Sequence, residues 1–228
     1  MAPKRSGRRR HTVVVAAFPS VSPFELSVPC EVFGVDRSDL ASPWYRFLVA
    51  STTPGPIPTS GGFSIQAEAG MDELSRADTV VVPDFPTGGA PAELLDALRT
   101  AHRRGARVIS LCTGAFVLAE AGLLDGRPAT THWKWAGELA RNYPAVRVDP
   151  RVLYVDDGDI LTSAGTAAGI DLCLHVVRLD FGAEVANAVA RRMVVPPHRD
   201  GGQAQYVDLP VPIQSDDDPI GRVLGWML

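Results

Sequence analysis

Short runs of β-branched and apolar residues recur at Thr12–Phe18, Tyr45–Ala50, Thr79–Val82 and Ala106–Leu111, each followed within a few residues by turn or helix signals. These predict strands. Between them lie stretches with helical periodicity, the clearest at Pro91–Arg104. There Pro91 suits the first helical position, Glu93 favours the positive end, and Leu94, Leu95, Leu98 and Ala101 form an apolar face. Arg103 and Arg104 then precede a terminating Gly105. Strands alternating with helices predict an α/β fold whose mostly parallel sheet is flanked by helices on both faces. The segment Gly55–Glu68 departs from this, because its prolines, glycines and alternating Phe63 and Ile65 predict a hairpin or an edge excursion.

The second half continues with a helix over Thr113–Ala121, a turn at Leu124–Gly126 and a helix over Trp133–Asn142. A hairpin follows within Val152–Ser163, turning at Asp156–Asp159. The long helix expected at Thr166–Phe181 aligns Ile170, Cys173, Leu174, Val177 and Phe181 on one stripe and turns Asp171, His175 and Arg178 elsewhere. A shorter helix covers Ala183–Arg192. Composition changes at Val194, where paired prolines and glycines and the run Ser215–Asp218 mark an extended connector rather than packed structure. Asp218 then suits an N-cap with Pro219 behind it, and Ile220, Val223, Leu224 and Met227 fall on one helical face. The expected organisation is a disordered basic arm over 1–11, a domain over 12–192, a connector over 193–217 and the start of a linker helix over 218–228.

A length of 228 residues, 46% of them hydrophobic, suits one globular domain with accessory sequence and excludes disorder throughout. No apolar run approaches the roughly 20 residues that a membrane-spanning helix needs. The basic start lacks a signal-peptide pattern and the three cysteines are widely spaced, so a reducing, cytoplasmic setting is expected with no membrane partner. The net charge of −4 conceals five positive charges within residues 1–10, which leaves −9 on the remainder. An acidic body has no counterion-release drive toward nucleic acid, so non-specific binding could come only from the arm.

Candidate chemistry centres on Val108–Phe116, which reads as strand, sharp turn and helix with Cys112 at the corner. Such an elbow lifts a nucleophile out of a sheet, aims the Thr113 amide at an oxyanion and needs small neighbours such as Gly114 and Ala115. A buried cysteine at a strand end is the plainer alternative. His132 could approach the thiol across the intervening helix as base or hydrogen-bond partner, or be an ordinary histidine beside two tryptophans. Glu25 would sit at the carboxyl edge of the sheet, where open α/β folds bind ligands, or serve its own helix dipole. Cys30 and Cys173 read as core residues, and Asp171 with His175 as a helical surface pair. The scattered histidines offer no metal-ligand spacing, and no cofactor is expected.

Leu111–Phe116 followed by Ala121–Trp133 resembles the ThiJ/PfpI superfamily, relatives of the class I glutamine amidotransferases, over about residues 12 to 192. The branch indicated includes isocyanide hydratases and the sensor domains of AraC-family transcription regulators. Ser6–Arg10, Cys30–Arg37, Thr162–His175 and Val194–Pro197 are similar to regulators of the AdpA type. The resemblance implies a flavodoxin-like fold with Cys112 at the elbow, Glu25 as pocket acid, Thr113 as oxyanion-type donor and His132 after the turn. It also implies a homodimer whose DNA contact is made through a C-terminal helix-turn-helix module absent from this chain.

One departure bears on activity. Enzymes of the superfamily commonly carry a glycine pair after the strand matching Thr79–Val82, whereas this chain has Pro83-Asp84-Phe85-Pro86. An inward Asp84 would raise the Cys112 pKa and oppose an anionic transition state. The leading expectation is therefore a dimerisation domain gated by a small-molecule effector or by oxidation at Cys112. The alternative is a Cys112-dependent hydratase or hydrolase of small electrophiles, with Glu25 handling protons.

Overall fold

The computed structural model describes residues 9–51, 53–86 and 89–205. The expected linker helix over 218–228, the connector beyond 205 and residues 1–8 of the basic arm lie outside them. Strand β1 (Thr12–Ala17) leads to helix α1 (Pro23–Pro29), which continues into a wider π-helical turn at Cys30–Gly34. Next come β2 (Arg46–Ser51), the small pair β3 (Ile57–Pro58) and β4 (Ser64–Ile65), α2 (Met71–Arg76), β5 (Thr79–Val82), α3 (Ala92–Arg103) and β6 (Arg107–Leu111). The rest of the fold comprises α4 (Gly114–Glu120), β7 (Pro128–Ala129), α5 (Trp133–Asn142), β8 (Arg147–Val148), β9 (Tyr154–Asp156), β10 (Ile160–Ser163), α6 (Ala167–Phe181) and α7 (Ala183–Arg192).

The main sheet runs β2-β1-β5-β6-β10-β9, parallel except for β9, which joins β10 as the antiparallel hairpin expected around Asp156–Asp159. Its central strands are buried on both faces, which is why Val13–Ala17 and Val80–Val82 read as continuous apolar runs rather than alternating ones, and why even Ser110 in Val108–Leu111 is buried. The departure at Gly55–Glu68 is the two-stranded antiparallel unit β3–β4. Edge strand β9 is covered by residues 199–205: Leu153 donates its N–H to Gly201 O at 2.8 Å, and Val152 bridges to Ala204. The first part of the Pro/Gly-rich segment thus lies against the domain.

Two readings of α6 are corrected. Asp171 is buried rather than solvated, because this helix packs on most of its circumference and buries Leu172, Cys173, Leu174, Val176 and Val177 around it. Nor does Asp171 pair with His175: it approaches Arg199, while His175 Nε2 meets Asp156 Oδ2 at the end of β9 at 2.7 Å. A tertiary partner on a neighbouring strand has outcompeted the i, i+4 neighbour.

Polar ties gather at the amino edge of the sheet. Arg107 grips Asp180 with Nη2 to Oδ1 at 2.8 Å, and the Tyr45 hydroxyl donates to the same carboxylate at 2.7 Å, linking β6 and the start of β2 to the end of α6. Arg10 Nε donates to Trp44 O at 2.8 Å, so this part of the basic arm is held against the domain. The carboxyl edge is left for a site. There β1 is the switch point, with β2 on one side and β5, β6 and β10 on the other, the position where open α/β sheets form a ligand crevice.

Candidate functional site

Cys112 follows β6 directly, and its amide still extends the sheet by donating to Ser163 O at 3.0 Å. The backbone then turns at φ +52°, a left-handed conformation that costs an L residue roughly 1–3 kcal/mol and persists where surroundings enforce it. Gly114 permits the turn. A Cβ there would stand 2.4 Å from Val82 O and 2.5 Å from Pro83 O, so α4 starts in backbone contact with the end of β5. The strand–turn–helix geometry read from the sequence is present, with Thr113 as the N-cap of α4. Thr113 Oγ1 accepts the Phe85 N–H at 3.0 Å, which binds the elbow to the Pro83–Pro86 segment.

Glu25 lies in the first turn of α1, yet it serves a different helix. Its Oε1 accepts the Thr166 N–H at 2.6 Å, at the amino end of α6, and residue 25 is only 3% exposed. Its other oxygen, Oε2, is buried without a hydrogen-bond partner among the described residues. Gly165, at φ +80°, lets acid and thiol meet: a Cβ on it would lie 2.3 Å from the Cys112 Cβ and 2.6 Å from Glu25 Oε1. Thr166, at φ +47°, is a second strained residue beside the same pair. Asp84 is half-buried after β5, with Oδ1 accepting the Ser22 N–H at 3.0 Å.

The electrostatics follow from this crowding. Burial, with the nearby Asp84 charge adding to it against the Thr166 amide, pushes the Glu25 carboxyl up to about 7. Burial also raises Asp84. The Cys112 thiol is pushed up to about 12, first by burial and then by the Glu25 charge, with Asp84 adding to it and the Thr113 donors opposing it. No cation appears among these causes. The Asp84 charge thus adds to what disfavours the thiolate.

His132 is placed differently. It is the N-cap of α5, its Nδ1 accepts the Lys134 N–H at 3.3 Å, and no hydrogen bond joins it to Cys112. Burial and then the Lys134 charge lower its pKa. It lines a cavity of about 140 Å³ with Trp133, Gly165, Thr166, Arg199 and Gln205. A separate apolar groove of about 470 Å³ lies on the outer face between α1 and α6, lined by Phe24, Val28, Val35, Ile170 and Met193. Among the described residues no group of three His, Cys, Asp or Glu side chains is placed to hold a metal ion.

Sequence reasoning did not single out three contributors. Thr131 Oγ1 donates to Cys112 O at 2.7 Å, Gly165 supplies the close approach, and Gln205 lines the 140 Å³ cavity. A glycine between a strand and a long helix was a usable signal for Gly165. Gln205 carried none, standing within a Pro/Gly-rich stretch far from its partners.

Residues 11–179 match the DJ-1/PfpI family. The HTH-type transcriptional regulator CdhR of Pseudomonas aeruginosa is 36% identical over 153 residues, which are 66% of this chain and 45% of CdhR; the chain thus spans under half of that relative. The isonitrile hydratase of Pseudomonas putida is 30% identical over 183 residues, covering 79% of this chain and 76% of the hydratase. Among solved structures, an AraC family transcriptional regulator from Pseudomonas putida superposes with a TM-score of 0.71 at 23% identity, over 80% of this chain and 99% of that one, a likeness of fold. The parallel sheet with its switch point at β1, the elbow at Cys112 and the matched span of residues 11–179 together place this chain in the DJ-1/PfpI family.

Proposed function

We propose that this chain is the effector-sensing and dimerising domain of a cytoplasmic AraC-type transcription regulator of the AdpA kind, whose DNA contact belongs to a helix-turn-helix module outside it. The observation that carries this reading is the Cys112 site: an elbow thiol beside two carboxylates, with its pKa pushed up to about 12 and no hydrogen-bonded base. Such a thiol is almost wholly protonated at neutral pH and makes a weak nucleophile. The pocket geometry suits recognition better than turnover. Regulators such as CdhR support the same reading by likeness. Phe24 and Val35, 48% and 44% exposed beside the 470 Å³ groove, are uncovered apolar surface of the kind a second copy buries. Paired copies suit paired DNA half-sites.

Sedimentation at micromolar concentration is expected to give a dimer, and a strictly monomeric protein would refute the dimerising role. Iodoacetamide should alkylate Cys112 at pH 7.5 at least about 100-fold more slowly than free cysteine, as the small thiolate fraction requires. Peptide mass spectrometry separates this signal from labelling at Cys30; a rate matching free cysteine would mean the thiol is activated after all.

A hydratase acting on small electrophiles is the second reading, favoured by the isonitrile hydratase likeness and by a Glu25 whose pKa near 7 lets it hold or release a proton at neutral pH. Incubation with isocyanides and glyoxals decides between them. Turnover abolished by Cys112→Ser would establish the enzyme.

A further inference from the structure

We infer that Gln205 is a latch through which the Cys112 elbow is coupled to residues 199–205 beside β9, an inference that rests on the sensing reading above. The connection is short. Cys112 O accepts from Thr131 Oγ1 at 2.7 Å, and the carbonyl of the same Thr131 accepts from Gln205 Nε2 at 3.0 Å. Through Thr131, Gln205 therefore joins a backbone atom of the strained elbow to the segment 199–205 that covers β9.

Gln205 is held on every side. Its Oε1 accepts the Trp133 N–H at 2.9 Å, Nε2 also donates to Val152 O at 2.9 Å, and its own amide donates to Arg151 O at 2.8 Å. The residue is only 7% exposed. Withdrawing it would leave the half-buried Trp133 N–H without its acceptor and the Thr131 carbonyl with only the 3.3 Å contact from the Thr130 hydroxyl. The set is therefore made or broken as a unit rather than loosened by degrees.

The latch also forms a wall of the site. Gln205 and Arg199 line the 140 Å³ cavity opposite Gly165 and Thr166, whose backbone packs on Cys112 and hydrogen-bonds Glu25. Added bulk at the elbow can reach Gln205 through Thr131, and an occupant of the cavity touches it directly. A domain that must report occupancy needs a segment tied to the site by a two-state element. Within residues 199–205, Arg199 also lines the cavity, and Gln205 is the residue hydrogen-bonded to Thr131.

The test follows hydrogen exchange in the full chain, with the Trp133 and Gln205 amides as reporters. Methyl methanethiosulfonate supplies defined bulk: a disulfide bond forms between the Cys112 sulfur and the methylthio group, the thiol proton passes to solvent and methanesulfinate leaves. Cys112→Ala, treated alike, corrects for labelling at Cys30. At full modification the two reporter amides should exchange at least about tenfold faster, with Val15 and Val81 unchanged. Thr131→Val, which lacks the relay hydroxyl, should respond less than about twofold. If labelling is too slow to complete, Cys112→Met places a thioether methyl at the elbow and the same amides are read. Unchanged reporters, equal acceleration in Thr131→Val, or acceleration shared by Val15 and Val81 would each overturn the latch. None of these bears on dimerisation, so a dimer without the latch refutes only the latch, and a monomer with a working latch refutes only the regulator reading.

Discussion

Gly165→Ala is expected to cost about 3 kcal/mol or more in urea unfolding, well above what backbone strain costs alone. Two effects add at this position. The residue holds φ +80°, where an alanine loses about 1 kcal/mol. The new methyl would also stand 2.3 Å from the Cys112 Cβ and 2.9 Å from its Cα, contacts that require the elbow backbone itself to move. Overpacking of this kind typically costs 1–3 kcal/mol, and here the obstacle is strand-end backbone rather than a flexible side chain. Gly126→Ala separates the terms. Gly126 has a similar φ of +72° but open space around its Cβ direction, so it should show the backbone cost of about 1 kcal/mol and nothing more. Equal losses in the two variants would show that Gly165 does not clamp the acid and thiol together.

What the sequence revealed of this arrangement follows the range of each interaction. The central strands were legible because both faces are buried and the residues are apolar and β-branched; Thr79–Val82 has the same bounds in the sequence and in the fold. The Ala92–Arg103 helix was legible because its start and stop signals are local. The elbow at Cys112 belongs to the same class, since strand, cysteine and small residues are consecutive. Glu25 could be placed at the sheet edge, but its partner Thr166 is 141 residues away and its actual role, accepting from another helix, has no local trace. Asp171 was misjudged for a related reason. Helical periodicity reports one buried face, whereas α6 is covered on most of its surface by neighbours that periodicity cannot see. The relay from Thr131 to Gln205 is likewise a product of tertiary contact alone.

Glu25→Gln is expected to stabilise the protein above neutral pH and to free the thiol at the same time. The wild-type carboxyl ionises at about 7 in the folded protein and at 4.5 when unfolded. Between those values the native state holds a proton that the unfolded state has released, so the slope of stability with pH is negative over this window. Stability should fall as pH rises from about 5 to 8, by about 3 kcal/mol from this one group, and level off above. Glutamine keeps the oxygen that accepts the Thr166 N–H but carries no charge, so it should match the wild type near pH 5 and exceed it by about 3 kcal/mol at pH 8. Asp84 is raised in the same direction and is coupled to Glu25, so part of the difference comes from the release of that mutual repulsion. Urea unfolding of the pair at pH 5, 6.5 and 8 measures the effect, and parallel profiles would mean that Glu25 ionises normally. The second consequence comes from the same charge, which is one of the causes that hold the Cys112 thiol at about 12. Removing it should speed alkylation of Cys112 at pH 8 at least several-fold while the fold becomes more stable. A structural acid would give the opposite pairing, since losing a useful carboxylate weakens a fold. Stabilisation together with a faster thiol would identify Glu25 as a residue kept at the expense of stability, which is what a sensing or proton-carrying site requires of it.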